Sequence, residues 1–138
     1  DESGMEPVQN RIEKLPFMDW RQLPAVIAGL DINLMPLENS LFHWCKSENK
    51  WTEAALVKVP SVMSRNCEME YVVENGKDGW MCTTKEEWVN ALEALVTDEK
   101  ARKAMGEAAH QKVMEHYLTV NTGKDAMEEL LCSESYTK

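Results

Sequence analysis

Apolar residues follow two periods along this chain. Between residues 21 and 30, Leu23, Val26, Ile27 and Leu30 recur at the three-to-four spacing that lines one side of a helix. Pro24 sits in the first turn, where a missing N–H is tolerated. Residues 31–37, Asp-Ile-Asn-Leu-Met-Pro-Leu, form an apolar-rich run bounded by a proline and read as a buried strand of a parallel sheet. Shorter strands are expected at residues 11–17, 61–64 and 80–82. Residues 38–46 read as a polar and aromatic loop, 48–57 as a helix, and 68–73 as a short helix or turn. Gly76-Lys-Asp-Gly79 is a strong turn signal.

Beyond residue 83 the pattern is helical. Thr84-Lys-Glu-Glu87 has the form of a capping box and opens a helix with the stripe Trp88, Ala91, Leu92, Leu95 and Val96. A second helix opens at Thr97-Asp98, with Ala101, Met105, Ala108, Val113 and Tyr117 expected to face inward. A last one opens at Thr122 or Gly123 and ends near Leu131, before a polar tail. Strands alternating with helices predict an α/β fold: a Rossmann-like parallel sheet of about four strands with flanking helices and a helical C-terminal segment. The expected organisation is a poorly ordered leader over residues 1–10, a partial domain over 11–132 and a polar tail over 133–138.

Composition narrows the function classes. The chain has 138 residues, 43% of them hydrophobic and 28% charged, which suits one globular domain with a core. Its net charge of −9, with no obvious basic face, argues against a nucleic-acid or anionic-lipid binder. No apolar run reaches the roughly 20 residues of a membrane span, and the polar start shows no signal peptide. The first residue is not Met, so a fragment or processed product is expected, in the cytoplasm. The four cysteines, Cys45, Cys67, Cys82 and Cys132, form no CxxC pair and read as buried or half-buried thiols. No metal-ligand spacing is visible; His110 and His116 are six residues apart, off one helix face.

The chemistry concentrates in Lys46-Ser-Glu-Asn-Lys-Trp-Thr-Glu53, between two expected strands, where a loop at a strand's carboxyl end enters a helix. Ser47 is expected as the N-cap. A helix N-terminus carries about half a positive charge, so Lys46 and Lys50 beside it favour an anion among them. Glu53, one turn deeper, is placed to accept hydrogen bonds from a ribose diol, and together these groups fit a nucleoside diphosphate. The alternative is an ordinary capped helix whose Lys50 and Glu53 form a solvated pair.

The segment Lys46-Ser47-x-x-Lys50-x-x-Glu53-Ala54-Ala55, with Val59-Pro60-Ser61-Val62-Met63-Ser64 after it, resembles the donor-site segment of the group 1, B-type-fold retaining glycosyltransferases. Phe17-x-Asp-Trp20-x-x-Leu23-Pro24, Asp31-Ile-x-Leu-x-Pro36-Leu37, Val72-Val73-Glu74-Asn75-Gly76-x-x-Gly79, Glu86-Glu87-Trp88-x-x-Ala91-Leu92 and Arg102-x-x-Met105-Gly106-x-x-Ala109 resemble other segments of that family, in order. The resemblance implies half of a B-type glycosyltransferase fold, binding a nucleotide-diphosphate sugar as substrate without metal or cofactor. Lys46, Ser47 and Lys50 would lie near the diphosphate, and Glu53 would match the ribose-binding second glutamate of the family's E-x7-E motif. The first glutamate's place is held by Cys45, Tyr71 stands where the family often has glutamate, and Lys58-Val59 stands where it usually has glycine before the proline. The acceptor site would belong to an N-terminal domain absent from this sequence, leaving the fragment inactive alone. The full-length protein would work in the cytoplasm, at the inner face of the membrane, in polysaccharide synthesis.

Two further candidates flank the cluster: His43, for donor approach or proton transfer, and Arg65, for a phosphate or the sugar. Phe42, Trp44 and Trp51 read as core or rim packing, with a base-stacking wall as the alternative. Met69, Met81, Met105 and Met114 read as core filler. Two rival functions stay open. One is a binding or scaffold domain of the same fold without catalysis, with Cys45 marking the loss. The other is a phosphoacceptor receiver domain, suggested by Asp31-Ile-Asn-Leu-Met-Pro36 but lacking the early acidic pair.

Overall fold

The computed structural model describes residues 6–38, 40–124 and 127. A 3-10 turn at Glu6–Arg11 comes first, and a second at Trp20–Gln22 runs into α1 (Leu23–Ile27). Then follow β1 (Asn33–Met35), α2 (Leu41–Trp44), α3 (Asn49–Leu56), β2 (Ser61–Ser64), α4 (Cys67–Val72), β3 (Trp80–Cys82), α5 (Lys85–Thr97) and α6 (Glu99–His116). The strands form one parallel sheet in the order β1-β2-β3, so every connection is a helical crossover, as the alternating pattern requires.

The register puts Met35, Met63 and Met81 in one row across the sheet. This row packs with Trp51, Ala55, Met69, Val72, Ala109 and Val113, drawn from α3, α4 and α6, into one core cluster. The other sheet face, with Val62 and Cys82, packs against Ala91 and Leu95 of α5 and Met105 of α6. Thus α6 contributes to both clusters. Trp51 is fully buried, and its indole N–H donates to the Asp78 carbonyl at 2.9 Å, so this buried donor is paired. Asp78 is itself buried; its carboxylate accepts from the Glu74 amide at 2.8 Å and from Lys112 Nζ at 2.6 Å. A buried charge held on both oxygens is tolerated, whereas removing one partner would strand the other.

The end of α3 explains a departure noted in the sequence. Lys58 has a φ of 63°, the left-handed position that normally favours glycine. Lys58 N donates to Ala55 O at 3.0 Å and Val59 N to Ala54 O at 2.9 Å, the two bonds of a Schellman turn. This turn aims the chain into Pro60 and β2. Gly106 of α6 lies against it: a Cβ there would sit 2.1 Å from the Lys58 carbonyl oxygen.

Several expectations are corrected. Residues 12–17 form no strand, and Phe17 is wholly exposed; no neighbouring strand is there to take their N–H and C=O groups. The described sheet therefore has three strands, not about four. The expected strand over 31–37 shrinks to Asn33–Met35, and Leu34 is half exposed because α5 does not cover this edge of the sheet. The loop over 38–46 contains α2, capped by Ser40, whose side chain accepts from His43 N. In the helices, Ala101, Val96 and Met114 are exposed; Ala109, not Ala108, is buried against the sheet. The last helix begins by residue 119; its expected end, Cys132 and the tail lie outside the described residues. Cys82 is buried, but Cys45 and Cys67 are exposed. Among the described residues no helix is long and apolar enough to cross a membrane, and no group of three or more His, Cys, Asp or Glu could hold a metal.

Candidate functional site

All three strands run the same way, so their carboxyl ends meet on one side of the sheet. Met35-Pro36-Leu37, Ser64-Arg65-Asn66 and Cys82-Thr83 supply that rim. Short hydrogen bonds fix it. The Ser64 hydroxyl accepts from Leu37 N at 2.8 Å and lies 3.3 Å from Leu37 O, tying the exit of β1 to that of β2. Asn66 caps α4 by accepting from Met69 N at 2.8 Å, and its amide nitrogen reaches Lys46 O at 3.5 Å. Asn33 Nδ2 donates to Lys50 O at 3.3 Å and to Ser61 Oγ at 3.0 Å, which anchors the first turn of α3 to the sheet.

Over this rim lie two adjoining cavities. The larger, about 480 Å³, is lined by Met35, Leu37, His43, Lys46, Ser47 and Lys50, among others. The smaller, about 150 Å³, is lined by Leu37, Glu38, His43, Arg65, Cys82 and Thr83, among others. Leu37 and His43 belong to both. The His43 ring is held by a 2.7 Å contact between Nδ1 and Ser40 Oγ. The ammonium of Lys46 stands 4.5 Å over the Phe42 ring, a cation–π contact that keeps the charge at the cavity mouth. Burial pushes the Cys82 thiol up, with the nearby Glu87 carboxylate adding to it, so this thiol is a neutral wall and not a nucleophile.

The structure thus brings together Lys46, Ser47, Lys50 and His43, and sets Arg65 beside them across His43. It corrects the role of Ser47. The N-cap of α3 is Glu48, and no side chain caps that helix. The helix starts one residue later than the serine would dictate, with Thr52 N bonded to Glu48 O at 3.0 Å. The first N–H groups of α3 therefore have no side-chain acceptor from the cap, which raises their availability to an anion. Glu53 lies on the exposed side of α3 and is not part of either cavity wall. Of the aromatic residues, Trp51 belongs to the core, Phe42 is exposed, and the side chain of Trp44 lies outside the described residues. Glu38 and Thr83 were not singled out from the sequence; their only signal is their place just past strand ends.

Two other cavities carry less chemistry. One of about 630 Å³ beside α1 is walled by Leu15, Phe17, Trp20, Leu23 and Val26, and its one carboxylate, Asp19, is engaged by Arg21. One of about 240 Å³ beside α6 holds Lys77 with Glu74 and Lys112 with Asp78, charges already paired.

A family model described as glycosyl transferases group 1 matches residues 2–98. Two solved structures of Anabaena Alr3699/HepE, one in complex with UDP and glucose and one with UDP-glucose, superpose with TM-scores of 0.74 at 18% identity. Each covers 91% of this chain and 33% or 34% of the solved chain. The C-terminal domain of a glycosyl transferase group 1 family protein (LpcC) from Francisella tularensis superposes with a TM-score of 0.56 at 18% identity, covering 75% of this chain and 52% of that one. The chain thus spans about a third of the HepE chains and about half of the LpcC domain. At this identity the likeness establishes the fold. No curated protein matches the sequence.

Proposed function

Because the chain belongs to the group 1 glycosyl transferases, we propose that it is a donor-binding half of such an enzyme, taking a nucleotide-diphosphate sugar at the rim of its sheet. One observation carries the reading: Lys46, Ser47 and Lys50 line a single open cavity at the uncapped N-terminus of α3. A diphosphate seated there meets two ammonium groups, a hydroxyl and free backbone N–H groups. These neutralise its charge in place of a metal, so the reading calls for no metal and no cofactor. In transfer, the same positive groups would stabilise the leaving nucleoside diphosphate as the glycosidic bond breaks.

Glu53 takes the ribose in this reading. It does so from outside the cavity, so the nucleoside lies along the exposed side of α3 while the phosphates point toward the strands. The acceptor belongs to a second domain. The HepE structures support this, since this chain accounts for about a third of their length. The isolated chain is then expected to bind donor and not to transfer, and the placement at a membrane's inner face follows the acceptor. One observation favours a second reading: Cys45, exposed, occupies the place of the family's first motif glutamate. In that reading the chain binds nucleotide sugar as a scaffold and transfers nothing even when joined to its partner domain.

Calorimetric titration with UDP and GDP tests the donor site. Lys50→Ala removes one charge-assisted contact and is expected to weaken binding about tenfold, and Lys46→Ala by a similar factor. Equal affinity of native chain and double variant would sink the assignment.

A further inference from the structure

We infer that Asn33 and Asn66 are the positioning residues of the lysine cavity: each gives a side-chain amide N–H to the backbone carbonyl of one of the two lysines and holds it at the rim before any ligand arrives. The inference rests on the donor reading and adds to it two residues that set the affinity through the lysines.

The two contacts have the same form. Asn33 Nδ2 donates to Lys50 O at 3.3 Å, across 17 residues of chain, and Asn66 Nδ2 to Lys46 O at 3.5 Å, across 20. Both asparagines stand where the sheet fixes them. Asn33 opens β1 opposite Ser61, and its amide is steadied by Ser61 Oγ at 3.0 Å. Asn66 lies two residues past the end of β2, is only 4% exposed and caps α4. Its Oδ1 accepts from Met69 N at 2.8 Å, which leaves the amide nitrogen as the atom that faces Lys46.

The lysines need such support. Residues 46 and 47 belong to no helix or strand, and no side chain caps α3. A loop lysine that must be ordered by its ligand loses affinity to that ordering, and one already held keeps it. Lys46 is held at both ends, its carbonyl by Asn66 and its ammonium over the Phe42 ring at 4.5 Å. Lys50 has its first-turn carbonyl tied to the sheet by Asn33. Asn66 thus has two separable jobs. The cap on α4 uses its oxygen, and the grip on Lys46 uses its nitrogen.

Asn66→Ser separates them. A serine hydroxyl caps a helix about as well as asparagine does, and it has no amide to reach Lys46 O. The urea midpoint is expected to stay near the native value while UDP affinity, read by calorimetry, falls about threefold. Asn33→Ala, its fold checked by circular dichroism, is expected to lower UDP affinity by a similar factor. Double-mutant cycles show which lysine each asparagine serves. In the Lys46→Ala background, Asn66→Ser is expected to change UDP affinity by less than about 1.5-fold while Asn33→Ala keeps its effect; in the Lys50→Ala background the pattern reverses. Equal losses in both backgrounds would mean general loosening and overturn the positioning role. Native UDP affinity in Asn66→Ser and Asn33→Ala, with the lysine variants still weakened, also overturns it and leaves the donor reading standing. UDP binding that responds to neither lysine overturns both.

Discussion

Gly106 and Lys58 show how one contact sets two residue identities. A Cβ on Gly106 would stand 2.1 Å from Lys58 O and 2.9 Å from Lys58 C, both backbone atoms of the Schellman turn. In an open helix, Gly→Ala gains about 1 kcal/mol. Here the clash reverses the sign, and Gly106→Ala is expected to cost about 1–3 kcal/mol. The readout is a lower urea midpoint at unchanged slope; an unchanged or higher midpoint would show that α6 does not approach the turn this closely. Lys58 is the complementary case. Its φ of 63° costs a non-glycine residue about 1–2 kcal/mol, and its ion pair with Glu107, at 2.8 Å but half exposed on both sides and screened by water, offsets little of that. Lys58→Gly is therefore expected to raise the midpoint, by an amount corresponding to about 1 kcal/mol or less. Glycine, the residue that the resemblance implies before the proline, is thus the one the backbone prefers here.

At the scale of elements, what the sequence made legible was decided by local rules, and what it hid by neighbours. The α5 capping box is local and forms as read: Glu87 N donates to Thr84 Oγ1 at 3.2 Å, and the Glu87 carboxylate accepts from the Thr83 and Thr84 amides. β2 and β3 were legible because an apolar run behind a proline or a glycine turn has few alternatives. The span over 12–17 has a strand's composition but pairs with no strand among the described residues, so it forms no regular element. At the candidate site the two lysines line one cavity, but the cap is Glu48 and not Ser47; the Asn33 contact to Lys50 O ties the first turn of α3 to the sheet. The compartment around Arg65 and Thr83 could not be read at all, since it exists only once strands 28 and 18 residues apart in register stand side by side. The capping box also carries a pH signature. Its two backbone N–H groups hold the Glu87 carboxyl below the ordinary 4.5. A depressed native value means the stabilisation is complete above about pH 4.5 and is lost as the pH falls through the native value. Glu87→Gln removes it, so the variant is expected to lose less stability than the native chain between pH 6 and pH 3. Parallel urea midpoints across that range would show that the carboxylate does not favour the native state. Glu74, Glu99 and Glu107, each lowered by a lysine partner, keep part of the acid limb in both proteins.

For the whole molecule the governing quantity is the net charge of −9, which opposes the anion proposed for the rim. The two contributions differ in range. Lys46 and Lys50 act at contact distance, whereas the 24 acidic residues are spread over the molecule. At 10 mM salt the Debye length is about 30 Å and the whole field reaches the site; at 150 mM it is about 8 Å and only near charges act. Added salt therefore removes the distant repulsion before it weakens the contact attraction, and the two changes offset each other. UDP affinity is expected to vary by less than about threefold between 10 and 150 mM, where a protein using a broad basic face would lose orders of magnitude. The Lys46→Ala/Lys50→Ala variant keeps the repulsion without the attraction, so its residual binding is expected to strengthen with salt. Calorimetric titrations of both proteins at the two salt concentrations decide it. A fall of tenfold or more in the native chain would mean that many cations, and not two on one loop, hold the phosphates.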